Sequence, residues 1–171
     1  MVKKLTRREF LIATAGIALG AQALTWKKLV LAQPVDPKLE RQFKELLPEA
    51  AEFKPVVEDK KVVFYEAYDK AGTLIGYPFV TKAYGPSESF KVIGIVSLDY
   101  KVTAIDVIPY LEHLLNPKLV EPEFEDQFIG LSVKELSLSP DGEIDAATGA
   151  TISAGAITYA IKRKVDAIIQ K

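Results

Sequence analysis

The sequence predicts an α+β domain: an antiparallel meander sheet, with a C-terminal helix following the functional loop. Three observations carry this. Between residues 62 and 110 the chain passes through four stretches rich in β-branched and aromatic residues, 62–68, 74–84, 90–98 and 102–110. The connections between them are short, whereas a parallel crossover needs about a dozen residues or more, so consecutive strands must pair antiparallel. The last segment then changes period, placing Ile157, Ala160, Ile161, Val165 and Ile168 on one stripe of a helix.

Taken in order, the chain opens with Lys3, Lys4, Arg7 and Arg8 ahead of an apolar run over 10–24, and Ala21-Gln-Ala23 has the small-x-small form of a cleavage site. Thr6-Arg-Arg-Glu-Phe-Leu11 resembles the twin-arginine export signal. A second possible cut follows Ala32. Trp26-Lys-Lys28 interrupts the apolar run before it reaches the roughly 20 residues that span a bilayer, and a retained anchor stays open beside cleavage. Residues 1–32 are therefore read as export signal and linker, and 38–171 as the folded domain. The expected location is the periplasm or the outer face of the cytoplasmic membrane.

Pro34-Val-Asp-Pro37 reads as linker. Leu39, Phe43, Leu46 and Leu47 recur at i, i+4, i+7 and i+8, an amphipathic docking helix ended by Pro48. The turns of the meander are Asp69-Lys-Ala-Gly72, Gly85-Pro-Ser87 and Asp99-Tyr-Lys101. Residues 113–122 are loop-like, and 123–128 form a short helical turn ended by Gly130. A strand over 135–138 is expected to lead into the Pro140-Asp-Gly142 turn.

Composition narrows the chemistry. At 171 residues and 49% hydrophobic content the chain can bury a real core. It has no cysteine and one histidine, His113, which reads as a loop surface residue. Disulfides, thiolate metal sites and cysteine nucleophiles are excluded, and a transition-metal centre is disfavoured. Without residues 1–23 the chain carries 18 basic and 22 acidic residues, net −4, with no basic cluster able to neutralise a row of phosphates. Nucleic acid is not an expected partner. Neither a serine-histidine-aspartate arrangement nor a Gly-x-Gly-x-x-Gly fingerprint is present. The acidic group Glu121, Glu123, Glu125 and Asp126 matches no calcium-loop spacing and reads as a solvated turn. Lys162-Arg-Lys164 reads as a solvated helix end. Tyr65, Tyr68, Tyr77, Tyr84 and Tyr100 read mainly as core or cross-strand residues, with room for one to stack on a cofactor ring.

The most informative stretch is Asp145-Ala-Ala-Thr-Gly-Ala-Thr-Ile-Ser153, which opens directly into the final helix. It sets the Thr151 hydroxyl at a helix N-terminus, where backbone N–H groups lack intrahelical partners and the dipole favours an anion. Gly149 permits positive φ or close backbone approach, and Ala146, Ala147 and Ala150 leave space for a bulky group. These physics support an anion or phosphate site, and equally a plain helix cap.

Thr148-Gly-Ala-Thr-Ile-Ser153, preceded by Asp145, resembles the flavinylation motif of the FMN-binding domain family. That family includes subunits of Rnf-type electron-transport complexes and of sodium-pumping NADH:quinone reductases. The resemblance implies FMN held covalently, through a phosphoester, on Thr151, which would make the chain a phosphoprotein in the chemical sense. It implies a flavin transferase for maturation. It further implies that Asp145, Thr148, Gly149, Ala150, Ile152 and Ser153 surround the cofactor. The similarity runs from about residue 62 to 165: 63–80 look like the family's opening hairpin, Tyr84-Gly-Pro86 like its glycine corner, and 90–107 like its central hairpin. The family's Glu-Thr-Pro-Gly-Leu-Gly segment reads here Leu115-Asn-Pro-Lys-Leu-Val120, so only Pro117 and Leu119 match as ring contacts.

The expected function is an extracytoplasmic electron-transfer flavoprotein, passing electrons between redox partner proteins of a membrane-associated respiratory complex. No catalytic acid or base stands out. Two other readings stay open on the residues: a non-redox secreted module that binds a phosphate ligand, and a small stand-alone flavin reductase.

Overall fold

The computed structural model describes residues 35–87, 89–110 and 116–171. The segment expected to direct export, with its expected cleavage motifs, and His113 and Leu115 lie outside the described residues.

Helix α1, Pro37–Leu46, starts where Asp36 accepts hydrogen bonds from the Lys38 and Leu39 backbone N–H groups at 2.9 and 3.1 Å. Such a cap stabilises a helix by about 1 kcal/mol. Leu47, the residue before Pro48, leaves the helical region because the proline ring excludes it. Five strands follow: β1 Glu52–Glu58, β2 Lys61–Tyr68, β3 Leu74–Tyr84, β4 Ser89–Val96 and β5 Val102–Pro109. They form one sheet in sequence order, every neighbouring pair antiparallel. The α+β meander expected from the sequence is therefore the observed architecture.

It has one strand more than expected. Residues 52–58 carry Pro55 and charged ends, which hide a strand pattern. Pro55 is tolerated because β1 is an edge strand, pairing with β2 alone. Asp59 and Lys60 both take positive φ, 48° and 64°, the geometry of a two-residue hairpin turn that matches strand twist.

The sheet is covered on both faces. On one, α1 sets Phe43 against Phe53 and Tyr65, with ring centroids 5.3 and 5.0 Å apart, over Ala67 and Ile93. On the other lies the main core, including Phe79, Phe90, Val92, Ile105 and Val107 of the sheet. It is closed by the last helix, which we label α3 (Thr151–Ile169), through Ala154, Ile157, Ala160, Ile161, Val165 and Ile168. All five residues of the anticipated stripe are buried. Gly94 is required here: a Cβ at this position would lie 2.5 Å from the Phe79 ring and 2.7 Å from Ile105 Cδ1.

Between β5 and α3 the chain makes a 3-10 turn, Pro117–Leu119, helix α2, Pro122–Glu125, and a second 3-10 turn, Asp126–Phe128. Gly130 ends this run at φ 84°. The strand expected over 135–138 is a correction. Only Leu138 bridges, in parallel with Ile144, through Ser139 N–H to Ile144 O at 2.9 Å and Ile144 N–H to Ser137 O at 3.1 Å. Leu136 and Ile144 are anchored in the core, and the backbone between them turns too tightly for a ladder. Lys162 and Lys164 also depart from the solvated helix end. Lys162 donates to Ser137 Oγ at 3.1 Å and Lys164 to the Val63 carbonyl at 2.6 Å. Burial, then neighbouring Arg163, lowers the Lys164 pKa.

Candidate functional site

Among the described residues, no side chain caps the helix that opens at Thr151. Ala150 occupies the cap position, and the helix ladder begins with Ala154 N–H donating to Ala150 O at 2.9 Å. The N–H groups of Thr151 and Ile152 belong to the first turn, where the helix itself offers no acceptor. A helix otherwise so well packed thus keeps an anion-receptive end. Small residues at this end are a local compromise: they forgo a serine or aspartate cap and leave room beside the chain.

The loop leading in is held by side chains from elsewhere. Asn116 Nδ2 donates to the Thr148 carbonyl at 3.0 Å, while its Oδ1 accepts from Lys118 N–H at 3.2 Å. One residue therefore ties the 3-10 turn to the motif. Gln127 Oε1 accepts from the Asp145 N–H at 2.6 Å, and Gln127 Nε2 donates to the Glu123 carbonyl at 3.3 Å. Gly149 sits at φ 79°, the left-handed region, with open space where a Cβ would stand: the nearest atom is Asn116 Nδ2 at 3.7 Å. Its need for glycine is conformational.

The anticipated residues separate into two sets. Thr151, Ile152, Thr148, Gly149 and Asp145 are exposed, whereas Ala150 and Ser153 are buried and seat the helix end. Gly149, Ala150, Thr151, Ile152 and Ser153 line a cleft of about 430 Å³ whose opposite wall is Pro86, Ser87 and Asn116. Pro117 is exposed next to Asn116, and Leu119 is fully buried in the core. Leu119 accordingly anchors the turn that carries Asn116. The cleft falls within the roughly 300–1,000 Å³ typical of small-molecule sites. An exposed hydroxyl, first-turn N–H groups that no described side chain caps, and this volume together fit a phosphate-bearing ligand. Among the described residues, no group of three or more His, Asp or Glu could hold a metal ion.

The resemblance places Asn116 in the segment 115–120, but no sequence signal marks Asn116 or Gln127 as a support of the motif loop. Both act through contacts 32 and 18 residues distant in sequence, which no local pattern reveals. Glu125 departs from the solvated turn expected of it. It is half-buried, its Oε1 accepts from the Val107 N–H of edge strand β5 at 2.8 Å, and burial raises its pKa from 4.5 to about 7. The segment 122–128 thus braces both the sheet edge, through Glu125, and the motif loop, through Gln127. The tyrosines split likewise. Tyr77 stacks on Tyr100 at 6.1 Å and meets Phe64 edge-on at 5.9 Å, and Tyr65 packs on Phe43, while Tyr84 stays exposed.

Comparison with known proteins bears on the same region. The family model of the FMN-binding domain matches residues 87–166, from β4 through the motif and most of α3. The G component of the ion-translocating oxidoreductase complex of Methanosarcina acetivorans is 31% identical over 170 residues, covering 91% of this chain and 89% of that protein.

Proposed function

The chain belongs to the FMN-binding domain family, and from that premise we propose that it is an electron-transfer flavoprotein with FMN covalently attached to Thr151. The single observation that carries the attachment is the exposed Thr151 hydroxyl at an uncapped helix N-terminus, inside the cleft and inside the matched region. Thr151 Oγ1 would bear the phosphoester. The first-turn N–H groups and the helix dipole would balance the phosphate charge. Gly149 gives the loop its left-handed bend, and Asn116 and Gln127 hold it in place. When bound, FMN supplies the redox chemistry, while the protein positions it and tunes its environment.

The relative is named as one component of an ion-translocating oxidoreductase complex, and we extend that role to this chain. Its partners are then redox proteins of a membrane complex, and a flavin transferase acts in maturation. The basic-then-apolar start of the chain, with Arg7-Arg8, supports placing the domain outside the cytoplasm. Attachment is tested by Thr151→Ala: the variant should fold with an unchanged melting curve yet lose flavin fluorescence in a denaturing gel. Fluorescence persisting in that gel would place the bond on another residue. Thr148→Ala should reduce loading less. Export is tested by Arg7→Lys with Arg8→Lys, which keeps charge and loses the guanidinium geometry. The double variant should leave unprocessed protein in the cytoplasm, and normal export would exclude the twin-arginine route.

A further inference from the structure

Beside the motif cleft runs a second groove, of about 480 Å³, between the last helix and the end of β3. Its origin lies in the sheet. β3 pairs with β4 along Tyr77–Tyr84, but its ladder with β2 covers only Ala67–Gly76 and Tyr68–Leu74. Among the described residues, the second half of β3 therefore has a strand partner on one side alone. Lys164 spans toward β2, fixed on the Val63 carbonyl at 2.6 Å.

The lining is chemically one-sided. Lys82 and Tyr84 come from β3, and Tyr159, Arg163 and Lys164 from α3, with no carboxylate among the described lining residues. Yet residues 35–171 contain sixteen basic and twenty-two acidic side chains. A patch with three cations is thus set into a net-negative domain. Tyr84 and Tyr159 are 67% and 61% exposed, and Ile152, 70% exposed, continues the same helix face back to the cleft. The Arg163 guanidinium lies 5.8 Å from the Tyr159 centroid, and Lys82 Nζ lies 5.5 Å from that of Tyr110, outside the groove's lining. Exposed tyrosines and an arginine are residue types enriched at interfaces, and lysines suit their polar rim.

We propose that this groove docks an extended, acidic segment of a partner protein, laid along the open edge of β3 with its carboxylates on Lys82, Arg163 and Lys164. The half-open strand offers backbone donors and acceptors to an extended chain. The cations select carboxylates, and Tyr84 and Tyr159 supply apolar contact. Ile152 of the cleft lies one helical turn before Ala156 of the groove, so a partner held there lies toward the end of α3 that bears Thr151. This names the chemistry of the redox partner, and it rests on the electron-transfer reading for its purpose. The binding itself does not depend on the flavin.

The test uses the exported, FMN-loaded protein, isotope-labelled for NMR, and a ten-residue peptide of alternating Glu and Val, which favours extended backbone. The expected result is saturable shifts at residues 81–84, 159 and 163. Affinity should fall about tenfold or more when salt rises from about 20 to about 300 mM. It should fall at least as far in Lys82→Glu with Arg163→Glu, and in the milder Tyr159→Ala. All three side chains are exposed, so the variants should keep the parent's melting curve. Equal binding of the matching Lys/Val peptide, shifts confined to other surfaces, or no binding would overturn the proposal. So would binding to phosphatidylglycerol vesicles that the same variants abolish while the peptide does not bind, because the surface would then belong to lipid. Flavin fluorescence of the same samples in a denaturing gel reports attachment separately, so a failed groove and a failed Thr151 assignment give different results.

Discussion

Glu125→Gln should make this protein more stable at high pH and leave it unchanged at low pH. The carboxyl of Glu125 is half-buried between 122–128 and β5, accepts one hydrogen bond from Val107 N–H, and faces the like charges of Asp106 and Asp126. Burial, the largest cause, raises its pKa from 4.5 to about 7. A raised carboxyl pKa means that the folded state prefers the neutral acid. Its contribution to stability is complete below about pH 4.5 and is lost as pH rises through about 7. At ~1.36 kcal/mol per pH unit, that interval sets a ceiling of about 3.4 kcal/mol. Solvent reaches about half of the group and screens it, which brings the expectation to ~1 kcal/mol. Glutamine keeps an oxygen for Val107 N–H and never ionises. Urea unfolding of both proteins should therefore coincide at about pH 4 and differ by ~1 kcal/mol in favour of the variant at about pH 8. Equal stabilities across that range, or a wild type more stable at pH 8, would refute the account of Glu125. Glu125→Ala separates the two roles: it removes the charge but strands the Val107 N–H, and should cost about 1 kcal/mol at low pH.

Three further substitutions probe the site and the core. Asn116→Asp keeps the acceptor for Lys118 N–H but loses the donor to Thr148 O; flavin loading should drop several-fold with a melting temperature within a few degrees of wild type, measured by absorbance and calorimetry. Gly149→Ala meets no steric neighbour closer than 3.7 Å but must hold φ near 79°. It should lose about 1 kcal/mol by urea titration and slow attachment. Gly94→Ala drives a methyl into Phe79 and Ile105 and should cost at least the ~1–3 kcal/mol of an overpacked core, read as a lowered denaturation midpoint.

The meander was legible because β2 to β5 each carry long β-branched runs separated by short turns, and the sheet-facing stripe of α3 because its apolar spacing is regular. Pro55 hid β1, since a proline argues against a central strand and nothing local reveals that this strand lies at an edge. Residues 135–138 resemble a strand because Leu136 and Leu138 alternate with polar neighbours. In the fold, the backbone instead folds back to meet Ile144. The motif was readable down to its exposed threonine, since a glycine bend and a helix start are local features. Its supports were not: Asn116 reaches Thr148 and Gln127 reaches Asp145 only after the chain has folded. Glu125 illustrates the same limit for charge. In sequence it belongs to an acidic turn, and only packing against β5 turns it into a neutral-leaning carboxyl.

The most direct test of the central claim is the intact mass of the native protein, followed by peptide mapping of the modified residue. The account predicts one FMN per chain, joined through phosphate, with the added mass on the peptide containing residues 145–162 and fragment ions placing it on Thr151. An unmodified mass for protein produced alongside a flavin transferase, or the adduct on any other residue, would contradict it.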